Sequence, residues 1–307
     1  MNLRLGIVGY GKIARDEHVP AIAVTEKLEL AAIATPEGAE AAVPVYPHLA
    51  ALLAGSPDVD AIVLCQPPSA RFEAARMALA AGKHVFLEKP PGIAVSEVKM
   101  LDEMARAQGL TLFAGWHSRW SSPVADLRAW CAAHRVDAAR IVWKEDVRRW
   151  HPGQAWIWGP GGYGVLDPGI NALSILTEVM PEPFRVRSAR FEIPSNRATP
   201  IAAAMQLETH SGTQVAVEFD WRQTGPQIWQ IDFSAGSQQR RFAQGGDDAA
   251  SLSASEESAL AAEYRAMYRH FRALVLAGAS DVDCRPLEII ADAFLCGQVE
   301  TVAPFED

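Results

Sequence analysis

The feature that most constrains the fold is a glycine-rich stretch at residues 6–14, Gly-Ile-Val-Gly-Tyr-Gly-Lys-Ile-Ala. It follows a short apolar strand and opens a helical stretch, and Gly9, Gly11 and Ala14 match the pattern G-x-G-x-x-G/A. In that pattern the first glycine permits a tight turn, the second lets the backbone approach a pyrophosphate, and the third position keeps helix and strand close. The N-terminus of the helix adds N–H donors and a positive dipole. The chain is therefore predicted to bind a dinucleotide.

The strand pattern changes along the chain. Up to about residue 118, short strands that are apolar throughout alternate with helices, which predicts a parallel sheet covered on both faces. Beyond it, longer strands alternate apolar and polar residues, which is typical of an antiparallel sheet with one polar face. One such strand is predicted over residues 138–150, and a helix over residues 258–278.

These patterns predict an α/β protein with two domains. Residues 1–118 form a dinucleotide-binding Rossmann domain, and residues 119–307 form an α+β domain with a large, mostly antiparallel sheet. We expect the second domain to bind the substrate and to mediate oligomerisation.

Composition excludes several classes of partner. The chain has 28 Lys and Arg against 37 Asp and Glu, a net charge of −9, so neither nucleic acid nor an anionic membrane is expected to bind. No run approaches the roughly 20 apolar residues that span a bilayer, and the N-terminus leads directly into the glycine-rich stretch. The four cysteines are scattered without metal-ligand spacing, so we expect free thiols, no metal and a cytoplasmic protein.

The end of the second strand bears on cofactor choice. An acidic residue there binds the ribose diol of NAD, whereas an arginine accommodates the 2′-phosphate of NADP. Here Thr35 stands where the acid is expected, Pro36 follows, and Glu37 is the nearest carboxylate. Because Glu37 would repel a 2′-phosphate, NAD is the expected cofactor, and NADP stays open.

A lysine ends the fourth strand in the sequence Glu88-Lys89-Pro90-Pro91. The carboxyl ends of parallel strands face the ligand crevice, and the prolines restrict the backbone on both sides of the turn. Lys89 is thus a candidate to hydrogen-bond or deprotonate a substrate hydroxyl beside the cofactor. The alternative is a surface lysine in a stiff turn.

A second candidate group lies in the sequence Asp167-Pro-Gly-Ile-Asn171, after a glycine-rich segment. If a helix starts near Pro168, Asp167 and Asn171 point the same way one turn apart. Asp167 is then a candidate proton acceptor, with helix capping as the competing role.

Together these stretches resemble the Gfo/Idh/MocA family of NAD(P)-dependent sugar oxidoreductases over essentially the whole chain. The family's marks are the dinucleotide fold, the lysine of E-K-P, and a glycine-rich segment followed by D-x-G-x-H. Here Asn171 replaces the usual histidine. That departure shifts the expected proton transfer to Asp167, with Lys89 assisting.

Further stretches, including WHSRW and WKEDVRRWHPGQAWIW, are similar to the family's bacterial aldose 1-dehydrogenases. The resemblance implies oxidation of an aldopyranose such as D-galactose, L-arabinose or D-fucose at C1 to the lactone, by a homodimer. It implies a catalytic group of Lys89, Asp167 and Asn171. It implies sugar contacts from His117, Glu145, Trp150 and Trp229. The expected cofactor contacts are Gly9, Gly11, Lys12, Ile13, Thr35, Pro67, Glu88 and Lys89.

Each sugar contact has a structural alternative. Trp150 and Trp229 suit sugar faces, but tryptophans also fill cores. His117 ends the fifth predicted strand, where histidines are often structural. Glu145 is predicted to share a strand face with Trp143, so it needs partners, either sugar hydroxyls or a salt bridge with Arg148, Arg149 or another basic residue. At the level of function, three alternatives remain: an inositol-type polyol dehydrogenase, another sugar oxidoreductase of the same family, and a non-catalytic NAD-binding regulator.

Overall fold

The computed structural model describes residues 2–244 and 258–306. The strands are β1 Leu3–Val8, β2 Leu28–Ala34, β3 Val45–Tyr46, β4 Ala61–Leu64, β5 His84–Glu88, β6 Leu112–Gly115, β7 Ala138–Lys144, β8 Phe184–Pro194, β9 Ala202–Thr209, β10 Gln214–Asp220, β11 Ile228–Ala235, β12 Gln238–Gln244 and β13 Gln298–Val302. The helices are α1 Val19–Val24, α2 Leu49–Gly55, α3 Arg71–Ala80, α4 Val95–Ala107, α5 Val124–Ala133, α6 Val147–Trp150, α7 Leu166–Val179, α8 Ala259–Ala277 and α9 Arg285–Cys296.

The described residues divide into two compact units. The first contains the chain up to Trp120 together with Ala259–Cys284, and the second contains the remainder. This division differs from the two continuous ranges expected from the sequence, because α8 belongs to the first unit rather than to the second.

The first unit has a six-stranded sheet in the order β3-β2-β1-β4-β5-β6, with every pairing parallel. The order reverses beside β1, between the first and second βαβ halves. In such sheets ligands bind at the carboxyl ends of the strands next to this reversal. This six-strand order is that of a Rossmann fold, so the predicted fold is confirmed, with the short strand β3 at one edge of the sheet.

Two apolar layers cover this sheet. On one side Val8, Leu64 and Leu87 pack with residues of α2, α3 and α4. On the other side Ile7 and Phe86 pack with α1 and with the fully buried residues of α8, which are Tyr264, Met267, Tyr268 and Phe271. Alternation along each strand directs neighbouring side chains to opposite layers. Helix α8 supplies a large part of the second layer, which explains its place in the first unit.

The second unit has a seven-stranded sheet in the order β12-β11-β7-β10-β9-β8-β13. Four of its six pairings are antiparallel; β7 with β10 and β8 with β13 are parallel. The expected large, mostly antiparallel sheet is confirmed.

Helix α7 packs closely against this sheet at Gly169. A Cβ atom at that position would lie 2.5 Å from the ring of Phe219 on β10, so only glycine fits there. This contact fixes the first turn of α7, which carries Asp167, against the sheet.

The strand predicted over residues 138–150 is shorter in the structure. It ends at Lys144, and Asp146 caps the short helix α6 by accepting a hydrogen bond from the backbone N–H of Arg148. The prediction missed this break because Asp is a good helix cap even within an apparently alternating pattern.

None of the described helices is long and apolar enough to cross a membrane.

Candidate active site

The glycine-rich turn has the geometry of a phosphate loop. Gly9 has a φ of +86°, and a Cβ atom there would lie 2.8 Å from the backbone nitrogen of Gln66. By contrast, no described residue lies within 4 Å of the Cβ position at Gly11, which leaves room for a ligand to reach the backbone. Ala14 is fully buried and keeps the helix against the sheet. This cradle fits the pyrophosphate of a dinucleotide.

Two other predicted cofactor residues continue this loop. Ile13 is half-buried, and Lys12 is exposed and forms an ion pair with Asp16 one turn later. Pro67 is exposed just beyond the carboxyl end of β4, on the side of the sheet where the strand order reverses. All three therefore lie at the ligand end of the sheet.

At the end of β2, Thr35 and Glu37 form a pair. The hydroxyl of Thr35 donates a 2.8 Å hydrogen bond to Glu37, and this bond lowers the pKa of the Glu37 carboxyl. An exposed, ionised carboxylate thus stands where a ribose diol binds in this fold. The neighbouring Thr35 is buried, so it orients Glu37 rather than presenting a surface of its own.

The turn that carries Lys89 is fixed by a buried arginine. Arg71 donates hydrogen bonds to the carbonyl oxygens of Glu88 and Pro90, on either side of the lysine, and a 2.7 Å hydrogen bond to that of Gln66. The peptide bond between Lys89 and Pro90 is cis. Lys89 itself is half-buried at the carboxyl end of β5. The lysine is therefore held by its backbone and is not a free surface residue.

Below this turn lies a buried ion pair. The Nε2 atom of His18 is 3.6 Å from Oε1 of Glu88, and Tyr264 donates a hydrogen bond to the same carboxylate. The Nδ1 atom of His18 lies 2.7 Å from the hydroxyl of Tyr268. The Glu88 carboxylate is thus occupied by protein groups, and its role as a cofactor contact stays a prediction.

The pKa shifts of this pair follow from its surroundings. Burial disfavours an ionised carboxyl, but His18, His117 and Arg71 outweigh it and lower the pKa of Glu88 to about 2. Burial also disfavours a charged imidazole, but Cys65 and Glu88 outweigh it and raise the pKa of His18 to about 9. Both groups are therefore charged near neutral pH.

His117 lies just beyond β6 rather than on it, in a short 3₁₀ turn. Its Nδ1 atom is 2.7 Å from Oε2 of Glu263 on α8, and its ring stacks on Tyr264. Nearby, burial raises the pKa of Glu17 to about 7, against the opposing effect of His117. The histidine is thus embedded among carboxyl groups, a setting in which imidazoles are oriented for hydrogen bonding.

In the second unit, Glu145 lies at the centre of a polar cluster. It is 2% exposed and accepts hydrogen bonds from the indole nitrogens of Trp221, at 3.2 Å, and Trp229, at 2.9 Å. The Nε2 atom of His151 is 3.2 Å from its Oε1 atom. Among the basic residues expected as alternative partners, the one that faces this carboxylate is His151. A carboxylate has about four acceptor positions, so these three contacts leave capacity for a ligand hydroxyl.

His151 also connects Glu145 with Asp167. Its Nδ1 atom is 4.0 Å from Oδ2 of Asp167, so the imidazole lies between two buried carboxylates. Asp167 is 4% exposed in the first turn of α7, where Val165 is the N-cap residue. The N-cap residue is therefore Val165 and not Asp167, since the helix begins one residue before Asp167.

Several buried polar atoms near this cluster lack a hydrogen-bond partner among the described residues. Among them are Oδ1 of Asn171, one turn beyond Asp167, and Nε1 of Trp150. The ring of Trp150 lies 5.0 Å from that of Trp229, which itself stacks on Trp143. Buried polar atoms are normally hydrogen-bonded to protein, ordered water or a ligand, so these two atoms are available to a polar ligand or to water.

Sequence reasoning did not single out several residues of these groups, among them His151, Trp221 and Glu263. His151 and Trp221 had a local signal, because they lie in WKEDVRRWHPGQAWIW and EFDWR, two of the stretches that carry the family resemblance. Trp221 and Glu263 reach their partners from positions 76 and 146 residues away along the chain.

Within residues 2–244 and 258–306 no group of three or more His, Cys, Asp or Glu side chains could hold a metal ion.

Comparison with known proteins supports this description. Residues 3–116 match a model of the Gfo/Idh/MocA oxidoreductases with an NAD-binding Rossmann fold. A galactose 1-dehydrogenase of Pseudomonas fluorescens is 41% identical over 311 aligned residues, covering 99% of each chain. The crystal structure of a D-galactose-1-dehydrogenase from Rhizobium etli has a TM-score of 0.90 and 45% identity, covering 100% of this chain and 99% of that one.

A myo-inositol 2-dehydrogenase from Lactobacillus plantarum shares the fold alone, with a TM-score of 0.81 at 13% identity. Full-length similarity at the level of the Pseudomonas relative, together with the phosphate-loop geometry, leads to one conclusion. The chain belongs to the Gfo/Idh/MocA family of NAD-binding oxidoreductases.

Proposed function

We propose that this protein is an NAD-dependent aldose 1-dehydrogenase that oxidises C1 of D-galactose, and of L-arabinose or D-fucose, to the aldonolactone. The observation that carries the proposal is the 41% identity, over 99% of both chains, to a galactose 1-dehydrogenase. The polar cluster of the second unit supports it, because two buried carboxylates, the indole N–H of Trp150 and the amide oxygen of Asn171 suit a polyhydroxylated ligand.

In this proposal the chain's residues bind the sugar and move one proton. Asp167 accepts the proton of the O1 hydroxyl, and the adjacent imidazole of His151 stabilises its carboxylate. Lys89 hydrogen-bonds the same or a neighbouring hydroxyl, while Asn171 and Glu145 orient the ring. NAD, when bound at the phosphate loop, supplies the group that accepts the hydride from C1.

The test is a substrate panel. NADH formation is measured with NAD and NADP in parallel on D-galactose, L-arabinose, D-fucose, D-glucose, D-xylose and myo-inositol. Turnover concentrated on the galactose-configured sugars supports the proposal. Turnover on myo-inositol alone would indicate a polyol dehydrogenase, and NAD binding without any turnover would indicate a regulator.

Cofactor choice gives a separate prediction. Replacing Glu37 with arginine removes a charge that repels a 2′-phosphate and adds one that attracts it. The ratio of kcat/KM with NADP to that with NAD is expected to rise about tenfold or more. Glu40→Arg changes the net charge equally at a nearby exposed position and serves as the control. An equal change of the ratio in both variants would argue against a specific role for Glu37.

We further propose that the protein is a homodimer that assembles through the polar face of the seven-stranded sheet. Arg185 pairs there with Glu208, and Lys144 with Glu218, in cross-strand ion pairs. Light scattering at low and high salt tests this, since a monomeric mass at both would exclude the dimer.

A cytoplasmic location is proposed from the four free cysteines.

A further inference from the structure

Two consecutive residues of α8 contact the ends of two strands in the first unit. Glu263 is 3% exposed, and its Oε2 atom lies 2.7 Å from Nδ1 of His117. Tyr264 stacks on the same imidazole, with 5.6 Å between the ring centroids. Its hydroxyl donates a hydrogen bond to the carboxylate of Glu88. The imidazole of His117 is thus held at one edge by a carboxylate and on one face by a ring.

His117 and Lys89 lie at the same edge of the sheet. Glu88 pairs with Gly115 in the parallel ladder between β5 and β6, and the two candidate side chains follow one and two residues later. This edge carries the carboxyl ends of the strands, where ligands bind in this fold. The orientation of the His117 ring therefore bears on ligand recognition.

We propose that Glu263 is a positioning residue that fixes the neutral imidazole of His117 in its Nδ1–H tautomer. The 2.7 Å between Nδ1 and Oε2 is a hydrogen-bond distance, and a carboxylate oxygen accepts in such a bond, so we place the ring proton on the nitrogen that faces Glu263. The Nε2 atom then presents a lone pair, and His117 accepts a hydrogen bond from a sugar hydroxyl instead of donating one. This last step rests on the proposed function; the tautomer itself does not.

The tautomer can be observed directly. The eight histidines are labelled with ¹⁵N at both ring positions, and His117 is assigned by the signals lost in His117→Asn. At alkaline pH the wild-type protein is expected to show a protonated Nδ1 and an unprotonated Nε2 for this residue. Glu263→Gln, whose amide can accept or donate, is expected to add signals of the Nε2–H tautomer. A proton on Nε2 in the wild-type protein would overturn the proposal, as would an unchanged tautomer in Glu263→Gln.

Sugar kinetics test the consequence for binding. When Nε2 of His117 is no longer fixed as an acceptor, the enzyme loses about one hydrogen bond to the sugar. Glu263→Gln is therefore expected to raise KM for the sugar about tenfold, while kcat changes by less than about twofold. Glu103→Gln, at an exposed position on α4, is the matched control. A mixed tautomer with an unchanged KM would refute the contact with the sugar.

The two proposals fail in different ways. If the wild-type protein oxidises no aldose, the proposed function is refuted, and the ¹⁵N spectra still decide whether Glu263 sets the tautomer of His117. If turnover is normal but the spectra show a proton on Nε2, only the role of Glu263 is refuted.

Discussion

Replacing Asp167 with asparagine is expected to lower kcat by about a hundredfold to ten-thousandfold, the usual contribution of a positioned general base. The side chain is 4% exposed in the first turn of α7 and lies 4.0 Å from Nδ1 of His151. Asparagine preserves size and most hydrogen bonding but cannot take up a proton at neutral pH. The dissociation constant for NAD should therefore change little, and KM for the sugar should change by only a few-fold.

Steady-state kinetics on the best sugar, together with NAD titration by fluorescence quenching, separate these effects. Asp292→Asn, an exposed position on α9, controls for the loss of one negative charge. If Asp167→Asn retains near-wild-type kcat, the proton acceptor is another group, and Lys89 becomes the first candidate to test. A parallel loss of NAD binding would instead indicate a folding defect.

Breaking the buried pair of His18 and Glu88 is expected to destabilise the protein by about 3 kcal/mol, because it leaves an uncompensated buried charge. The suitable variant is His18→Gln, since glutamine is neutral but can still bond to Tyr268. In the double-mutant cycle with Glu88→Gln, the two losses should fall short of additivity by about 1 kcal/mol or more. Additive losses would mean that the two side chains do not act as a pair.

The pH dependence of this stability follows from the two pKa shifts. The pKa of Glu88 falls from 4.5 to about 2 on folding, so its contribution is present above pH 4.5 and is lost as the pH falls towards 2. The pKa of His18 rises from 6.5 to about 9, so its contribution is complete below pH 6.5 and is lost as the pH rises through 9. The pair stabilises the folded protein most between pH 4.5 and 6.5.

Urea unfolding followed by tryptophan fluorescence measures this dependence. The difference between wild type and His18→Gln should be largest in that window and should shrink above pH 9. His210→Gln, at an exposed position, controls for the loss of an imidazole. A difference that does not vary with pH would show that His18 contributes by packing and not by charge.

The Rossmann fold was predictable because its signals are local. Gly9 and Gly11 are required by a tight turn and a close approach, and the strands around them are apolar throughout because both faces are covered. The same reasoning failed at residues 138–150, where alternation continues past the end of β7 and Asp146 starts a helix. A periodic pattern does not reveal at which residue a strand ends, because the end depends on where hydrogen bonding to the neighbouring strand stops.

The partners of the candidate site residues were less predictable. Glu145 was expected to bind sugar hydroxyls or a basic residue such as Arg148 or Arg149. In the structure the basic residue that faces it is His151, and Trp221 and Trp229 also donate hydrogen bonds to it. Trp221 directly follows β10 and Trp229 lies on β11, which places them 76 and 84 residues further along the chain. A buried carboxylate signals that it needs partners, but not which ones.

By itself the sequence predicted the dinucleotide-binding fold, the turn that carries Lys89, and Asp167 as a candidate proton acceptor. Each of these predictions depends on residues that are neighbours in the chain. Only the tertiary structure decided that α8 joins the first unit, where Tyr264 and Glu263 contact Glu88 and His117 across 176 and 146 residues. It also placed His151 between Glu145 and Asp167. The physical reason is that burial brings together polar groups from distant segments, and each buried charge then selects whichever partner the packing places within reach.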